Sequence, residues 1–501
     1  SGQCEGFDCV KRYIDKPDGA YAWHEATEQS MNGTQDGVGW TARVLTVTSQ
    51  RWNGTGDAKH EVWTHPLVVV FPDTLHSSPQ AAQRTVTLLV GGAWLTGEPK
   101  INATMDDVRA AIYLATHTGA ISAVVLQVPN QRLKFASDPE HKQRIEDEIK
   151  AYTWKRFLDH PKDPEVLMEL PNAKAVVRAM DATTEFLTGG GHSVDGFALT
   201  GCSKRSVAAV MACAYDVGRC KAVVPCVMTT DMPRHAKVVS SIYGGAPVAM
   251  KDFVDNNVNA YIDTPEMDRL SSIVDIKGIL PKLTPPTLWL VAGADEFFMP
   301  DHTSLFWKQL PEPKYVFVRE GARHAQSLAD DGFLGPTAAF LRATHLPDTK
   351  MPQLRWEFNA TAGELAIHRH HGSPVPRKVT VWSARSCPAT FRRDFRQVVV
   401  AGPWQCDECG GHALQGGLCD ISRAVKWSSR SLTTEGLDWR VKEDVATGGY
   451  TAFFVAFEFD AAGGDSTSDR LQVTTEVTVL PYGHRPFAEC QGSMCGVKVW
   501  A

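Results

Sequence analysis

A chain of 501 residues is too long for one hydrophobic core, so two domains are expected. Its 43% hydrophobic and 22% charged residues are ordinary for a globular protein. A net charge of −6 is small for this length and gives no electrostatic case for nucleic acid or an anionic membrane surface as partner.

No apolar run approaches the roughly eighteen residues that span a bilayer. Ser1 in place of Met is expected of a processed or trimmed N-terminus, where a signal peptide would already be gone and cannot be read. The chain carries 12 Cys and sequons at Asn32, Asn53, Asn102 and Asn359. Together these point to a secreted or cell-surface glycoprotein. Close spacing suggests local bridges between Cys4 and Cys9, Cys213 and Cys220, and Cys490 and Cys495.

Taken in order, residues 1–60 are rich in Gly, Asn, Asp and Thr, with one strand-like stretch from Thr41 to Thr48. Val62 to Phe71 and Val86 to Val90 read as strands, the second running into Gly91-Gly92-Ala93-Trp94. A helix is expected from Val108 to His117 and a buried strand from Ile121 to Val128. Long helices follow at Arg144 to Leu158 and Ala173 to Leu187. The triplet Gly189-Gly190-Gly191 does not lead into a helix, so it is no phosphate loop. Apolar strands recur at Phe197 to Leu199, Lys221 to Met228 and Thr287 to Ala292, with a short one at Tyr315 to Arg319. Buried strands alternating with helices predict a mostly parallel sheet covered on both faces.

Near Pro347 the pattern changes to alternating strands: Lys378 to Trp382, Tyr450 to Phe459 and Leu471 to Leu480. The expected organisation is an α/β domain over 1–347 and an antiparallel, immunoglobulin-like β-sandwich over 348–501.

The stretch with chemistry in it is Val194 to Ala214. It reads as strand, sharp turn and helix, with Ser203 at the tip after Gly201. A strand-to-helix elbow lifts a hydroxyl clear of the backbone and aims helix N–H groups at the same spot, as acyl transfer requires. The usual G-x-S-x-G is incomplete, because Arg205 stands at the second Gly position. Partners are therefore sought downstream. In the α/β-hydrolase order the acid follows a late strand and the His lies after the last one. Asp295 leaves the Thr287–Ala292 strand two residues after Gly293, and His324 follows the Tyr315–Arg319 strand. His324 would take the proton from Ser203, and Asp295 would fix its tautomer. Asp301 is the alternative acid. His302 is a poorer base, since no second strand separates it from the acid. The oxyanion donors expected are the backbone N–H of Lys204 and of Gly92 or Ala93. Trp94 and Asn130 are candidate pocket residues. Arg205 either binds a substrate anion or pairs with a structural carboxylate, the second being favoured. Glu146, Asp147, Glu148 and Lys150 read as a solvated helix face.

Several stretches carry a family resemblance. They are G-x-S-K-R at Gly201 to Arg205, DEFF-x-PD at Asp295 to Asp301, and RDFR at Arg393 to Arg396. Tyr13 to His24, Val47 to Trp52, Val128 to Gln131 and Glu146 to Leu158 add to them. Over nearly the whole chain the sequence resembles the PhoPQ-activated pathogenicity-related protein family. The resemblance implies an α/β-hydrolase fold with Ser203 in the elbow, but no substrate. The family usually has Gly where this chain has Ser206, so a slightly different turn-to-helix packing is expected. The elbow also resembles, over a few residues, that of glucuronoyl esterases.

Cys406 and Cys409, with Cys387 and Cys419, could supply four thiolates to zinc. Irregular spacing and an oxidising compartment favour disulfides. His368, His370 and His371 read as a polar turn rather than a metal site, and Cys202 as buried or bridged. No metal and no cofactor is expected. Two functions follow. One is a secreted serine hydrolase acting on a small or polymeric ester or amide. The other is a non-catalytic glycoprotein using the fold as a binding or assembly module, with the C-terminal domain meeting a protein or carbohydrate.

Overall fold

A computed structural model describes residues 4–73, 84–93, 100–324, 331–346, 349–462 and 469–501. Its N-terminal part holds strands β1 (Ala22–Glu25), β2 (Met31–Gln35), β3 (Val38–Arg51), β4 (Val62–Pro72), β5 (Thr85–Val90), β6 (Ser122–Val125), β7 (Gly196–Cys202), β8 (Cys220–Cys226), β9 (Thr287–Ala292) and β10 (Lys314–Arg319). Helices α1 (Phe7–Asp15), α2 (Asp106–Thr118), α3 (Glu146–Asp159), α4 (Glu169–Gly189), α5 (Lys204–Tyr215), α6 (Met232–Tyr243), α7 (Lys251–Asp255), α8 (Pro265–Val274) and α9 (Asp331–His345) lie between and after them. The C-terminal part adds β11 (Leu354–Asn359), β12 (Glu364–Arg369), β13 (Lys378–Arg385), β14 (Val398–Val400), β15 (His412–Ala413), β16 (Leu418–Asp420), β17 (Ser428–Leu432), β18 (Asp438–Val441), β19 (Thr451–Phe459), β20 (Leu471–Thr474) and β21 (Thr478–Leu480).

The centre of the molecule is the parallel run β6-β5-β7-β8-β9-β10. Such strands are buried on both faces, which is why they read as apolar runs without alternation. In β5, Val86, Leu88 and Val90 pack into one core with α4 and α5, and Leu89 into the other with α2 and α9. Beyond β6 the sheet turns antiparallel through β4, β3 and β1, with β2 also on β3. These N-terminal strands extend the sheet well past the single one expected in residues 1–60. The expected strand over Ile121–Val128 shortens to β6, and Leu471–Leu480 divides into β20 and β21.

The expected boundary at 347/348 lies outside the described residues. What is described shows the sheet running on across it: Val316 of β10 faces Thr474 of β20, and β19, β13 and β17 follow. A second sheet, β11-β12-β18, covers this extension, with Trp439 against Phe457 at 5.1 Å and Phe358 against Phe453 at 6.5 Å between ring centroids. A freestanding sandwich has two sheets of its own. Here one layer is continuous with the central sheet.

Five disulfides are present. Three are the local pairs Cys4–Cys9, Cys213–Cys220 and Cys490–Cys495. The others join Cys387 to Cys409 and Cys406 to Cys419, so these four sulfurs are bonded to each other. Cys202 is neither bridged nor fully buried, and Cys226 likewise takes part in none of these five bridges. Gly189–Gly191 closes α4, with Gly191 at φ 85°. No described helix is long and apolar enough to cross a membrane.

Candidate active site

Ser203 stands between the end of β7 and the first residue of α5, at φ 55° and ψ −126°. A non-glycine residue at positive φ is strained and persists only where its surroundings hold it. Several contacts do so. Ser203 N–H donates to Cys226 O at the end of β8 over 2.8 Å. A Cβ on Gly201 would come within 3.0 Å of the Arg205 backbone, so the first motif glycine is required by close approach. Ser206, where the family usually has Gly, is fully buried. Its hydroxyl donates to Gly201 O and accepts from Cys226 N–H at 2.9 Å, tying the elbow to two strands.

Asp295 and His324 meet. His324 Nδ1 lies 2.9 Å from Asp295 Oδ2 and 3.0 Å from Oδ1. Asp295 Oδ1 also accepts from the N–H groups of Phe297 at 2.7 Å and Phe298 at 3.1 Å, so the buried carboxylate is fixed from the backbone. His324 N–H donates to Glu296 Oε2 over 2.9 Å. With Nδ1–H given to Asp295, Nε2 is the basic nitrogen of the neutral ring. The ring packs on Phe297 and Phe298, at 4.3 and 5.6 Å between centroids. Those two phenylalanines line a cavity of about 40 Å³ together with Ser203, Lys204, Asp147 and Trp154.

The rivals are placed elsewhere. Asp301 is bound by Arg393 of the RDFR stretch, whose Nη1 is 3.1 Å away and whose Nη2 is closer still. His302 is buried, with Nδ1 2.8 Å from Met299 O and Nε2 3.0 Å from Met228 O, and burial lowers its pKa. Asn130 is turned to the strand side, its amide donating to Thr64 O over 2.6 Å. His368 bonds Asp438 at 2.8 Å. No group of metal-ligating side chains forms among the described residues. Trp94 lies outside the described residues.

Of the expected oxyanion donors, Gly92 N–H is taken by Asp107 Oδ2 at 2.7 Å. Ala93, at φ 122°, is the remaining backbone group of that loop. Asp107 is half-buried, and the desolvation it suffers raises its carboxyl against the pull of Arg205 and the Gly92 N–H.

The largest surprise is Glu146. The solvated face expected at the start of α3 is instead turned toward the elbow. Glu146 Oε1 accepts from Arg205 Nη2 at 2.7 Å, and Oε2 accepts from Lys204 Nζ at 2.9 Å. Asp147 lies 3.3 Å from the same ammonium. Arg205 Nε also donates to Val128 O at 2.8 Å, so the guanidinium is paired with a carboxylate and a backbone carbonyl of the protein itself. Burial alone would push the Glu146 carboxyl up. The Arg205 and Lys204 cations outweigh burial and hold it well below the ordinary range. Gln131 completes the network: Nε2 donates to Glu146 Oε1 at 2.6 Å and to Ala93 O at 3.2 Å. The sequence signal was available. VPNQ and EDEIK stand out as motifs, but nothing local says that they meet Lys204 and Arg205.

A sequence model described as PhoPQ-activated pathogenicity-related protein matches residues 10–396. Autocrine proliferation repressor protein A of Dictyostelium discoideum is 27% identical over 498 residues, covering 97% of this chain and 92% of that protein. Among solved structures, an acetyl xylan esterase from Paenibacillus sp. R4 has a TM-score of 0.41 at 13% identity, over 64% of this chain and 87% of its own. A glucuronoyl esterase from Solibacter usitatus has a TM-score of 0.40 at 14% identity, over 66% and 87%.

Proposed function

This chain belongs to the PhoPQ-activated pathogenicity-related protein family, and we propose for it a secreted serine hydrolase that cleaves an ester through an acyl-enzyme. Ser203 Oγ attacks the substrate carbonyl carbon while His324 Nε2 takes its proton. Asp295 holds the ring and stabilises the imidazolium. The oxyanion is received by the N–H groups of Lys204 and Ala93. His324 then returns the proton to the departing alcohol, and water repeats the sequence to release the acid. No cofactor enters. An ester is favoured over an amide because an alcohol leaves more readily than an amine.

The observation that carries this reading is the Asp295–His324 pair, 2.9 Å apart, whose ring packs on the phenylalanines lining the cavity of the elbow serine. Secretion is supported by the five disulfides and by the exposed asparagines of all four sequons. We read residues 348–501 as a second unit of sandwich character sharing the sheet of the first. The test is active-site labelling. A fluorophosphonate probe labels the full chain and fails on Ser203→Ala. Folded wild-type protein that takes no label would instead favour a non-catalytic binding module.

A further inference from the structure

A second cavity, of about 430 Å³, shares Met250 and Phe297 as walls with the cavity at Ser203. Its size falls within the ~300–1,000 Å³ of small-molecule sites. One side is α6, contributing His235, Ala236 and Val239; the other is the C-terminal tail, from Ala488 to Val499. The tail is clamped in place. Ala246 N–H donates to Val499 O at 2.8 Å, Ala501 N–H to Ala246 O at 2.9 Å, and Gly492 N–H to Asp263 Oδ2 at 2.9 Å. It nevertheless leaves Met494, Val497 and Val499 exposed at the cavity rim, at 66%, 49% and 48%.

His235 is the second observation. It is 1% exposed and lines this cavity, yet neither ring nitrogen has a hydrogen-bond partner among the described residues. Buried polar atoms without partners are rare and costly. The ring meets Phe298 edge-on at 5.4 Å, and Phe298 in turn packs on His324. The acidic group of the lining, Glu489, is bound by Arg234 at 2.8 Å and by Arg485. His235 is thus an unpartnered, buried polar group in a chamber whose lining also includes Ser240, Asn259, Glu489 and Gln491.

We propose that this chamber sets specificity: it receives the apolar side of an ester whose carbonyl sits at Ser203, a group of medium length bearing a hydrogen-bonding atom that reaches His235. The proposal rests on the hydrolase reading above. Met250, an unbranched and adaptable side chain, is the partition that the group passes.

The experiment measures kcat/KM of the full chain on two ester series. p-Nitrophenyl acetate, butyrate, hexanoate and octanoate report the acyl side. Acetates of the matching alcohols report the alcohol side. Methylenes in a fitting apolar pocket gain roughly tenfold or more, so one series rises at least tenfold from its shortest to its longest member. Ala236→Trp fills the chamber and flattens that rise while the shortest ester keeps its rate. Val497→Asp, on the exposed rim where folding is not at stake, raises KM for the longest ester alone. Within a set of monohydroxylated octyl or octanoyl esters, one isomer exceeds the plain ester by about tenfold, and His235→Phe removes that preference. Flat series, or a rise untouched by both filling and charging, overturns the chamber while short-ester turnover leaves the hydrolase reading standing. Loss of all turnover and of fluorophosphonate labelling sinks both.

Discussion

Arg205 Nη2 donates to Glu146 Oε1 over 2.7 Å, so the position where an elbow glycine is expected is occupied by a cation neutralised from α3. Lys204, the residue between, uses the other carboxylate oxygen. One acid therefore serves both cations that follow Ser203. Removing its charge leaves two largely buried cations close together, with Asp147 beside Lys204 and Asp107 near Arg205 as the remaining acids.

Glu146→Gln keeps the shape and deletes the charge. Breaking a buried ion pair from one side costs about 3 kcal/mol, which guanidinium unfolding will show as a lower midpoint. The folded carboxyl is held below its ordinary value near 4.5, so its contribution is present above that pH and is lost as pH falls through the lower folded value. The gap between wild type and variant persists at neutral pH and closes only in strong acid. An unchanged midpoint at neutral pH would mean that the network holds nothing.

Asp295 and Asp301 make a paired test of the acid. Asp295→Asn keeps a hydrogen-bonding group beside His324 but favours the wrong tautomer, and kcat is expected to drop on the order of 10⁴-fold. Asp301→Asn breaks the pair with Arg393, whose side chains are 13% and 9% exposed. That variant loses about 3 kcal/mol of stability while ester turnover at low temperature stays within about tenfold. The reverse pattern would transfer the acid to Asp301.

Much of this site was readable because its parts sit at strand ends. Ser203, Asp295 and His324 each follow an apolar run, and parallel strands bring their carboxyl ends to one edge. Asp301 and Asp295 could not be separated locally, since the Arg393 that pairs with Asp301 lies 92 residues on. Glu146 was misread for a similar reason. Three acids in a first helical turn look solvated, and only the fold brings Lys204 and Arg205 over them. Continuity of the sheet past β10 was also hidden, because pairing of Val316 with Thr474 leaves no local pattern.

Burial makes acid pH a second probe. His345, at the end of α9, has no hydrogen-bond partner on either ring nitrogen among the described residues, and burial takes it from 6.5 to about 4. The unfolded chain binds this proton below 6.5, while the folded one resists it until about 4. Stability is therefore complete above 6.5 and falls as pH drops through that window, by about 1.4 kcal/mol per pH unit for this group. His345→Phe removes that slope, and unfolding followed between about pH 7 and pH 4.5 will show a shallower decline than wild type. Parallel declines would mean that the ring reaches solvent.

The bridge Cys387–Cys409, interleaved with Cys406–Cys419, encloses the RDFR segment that holds Asp301. A cross-link closing a 22-residue separation removes loop entropy from the unfolded chain, about 3 kcal/mol in the chain-entropy account. Cys387→Ser combined with Cys409→Ser is expected to lower stability by that amount. Amide exchange from Asp394 to Gln397 should quicken as the enclosed segment loosens from Asp301. Reductant should reproduce the effect in the wild type, whereas a metal chelator should do nothing. If the chelator destabilises the protein and the reductant does not, the four sulfurs hold a metal ion as thiolates, and the contact between Arg393 and Asp301 then depends on that ion rather than on the cross-links.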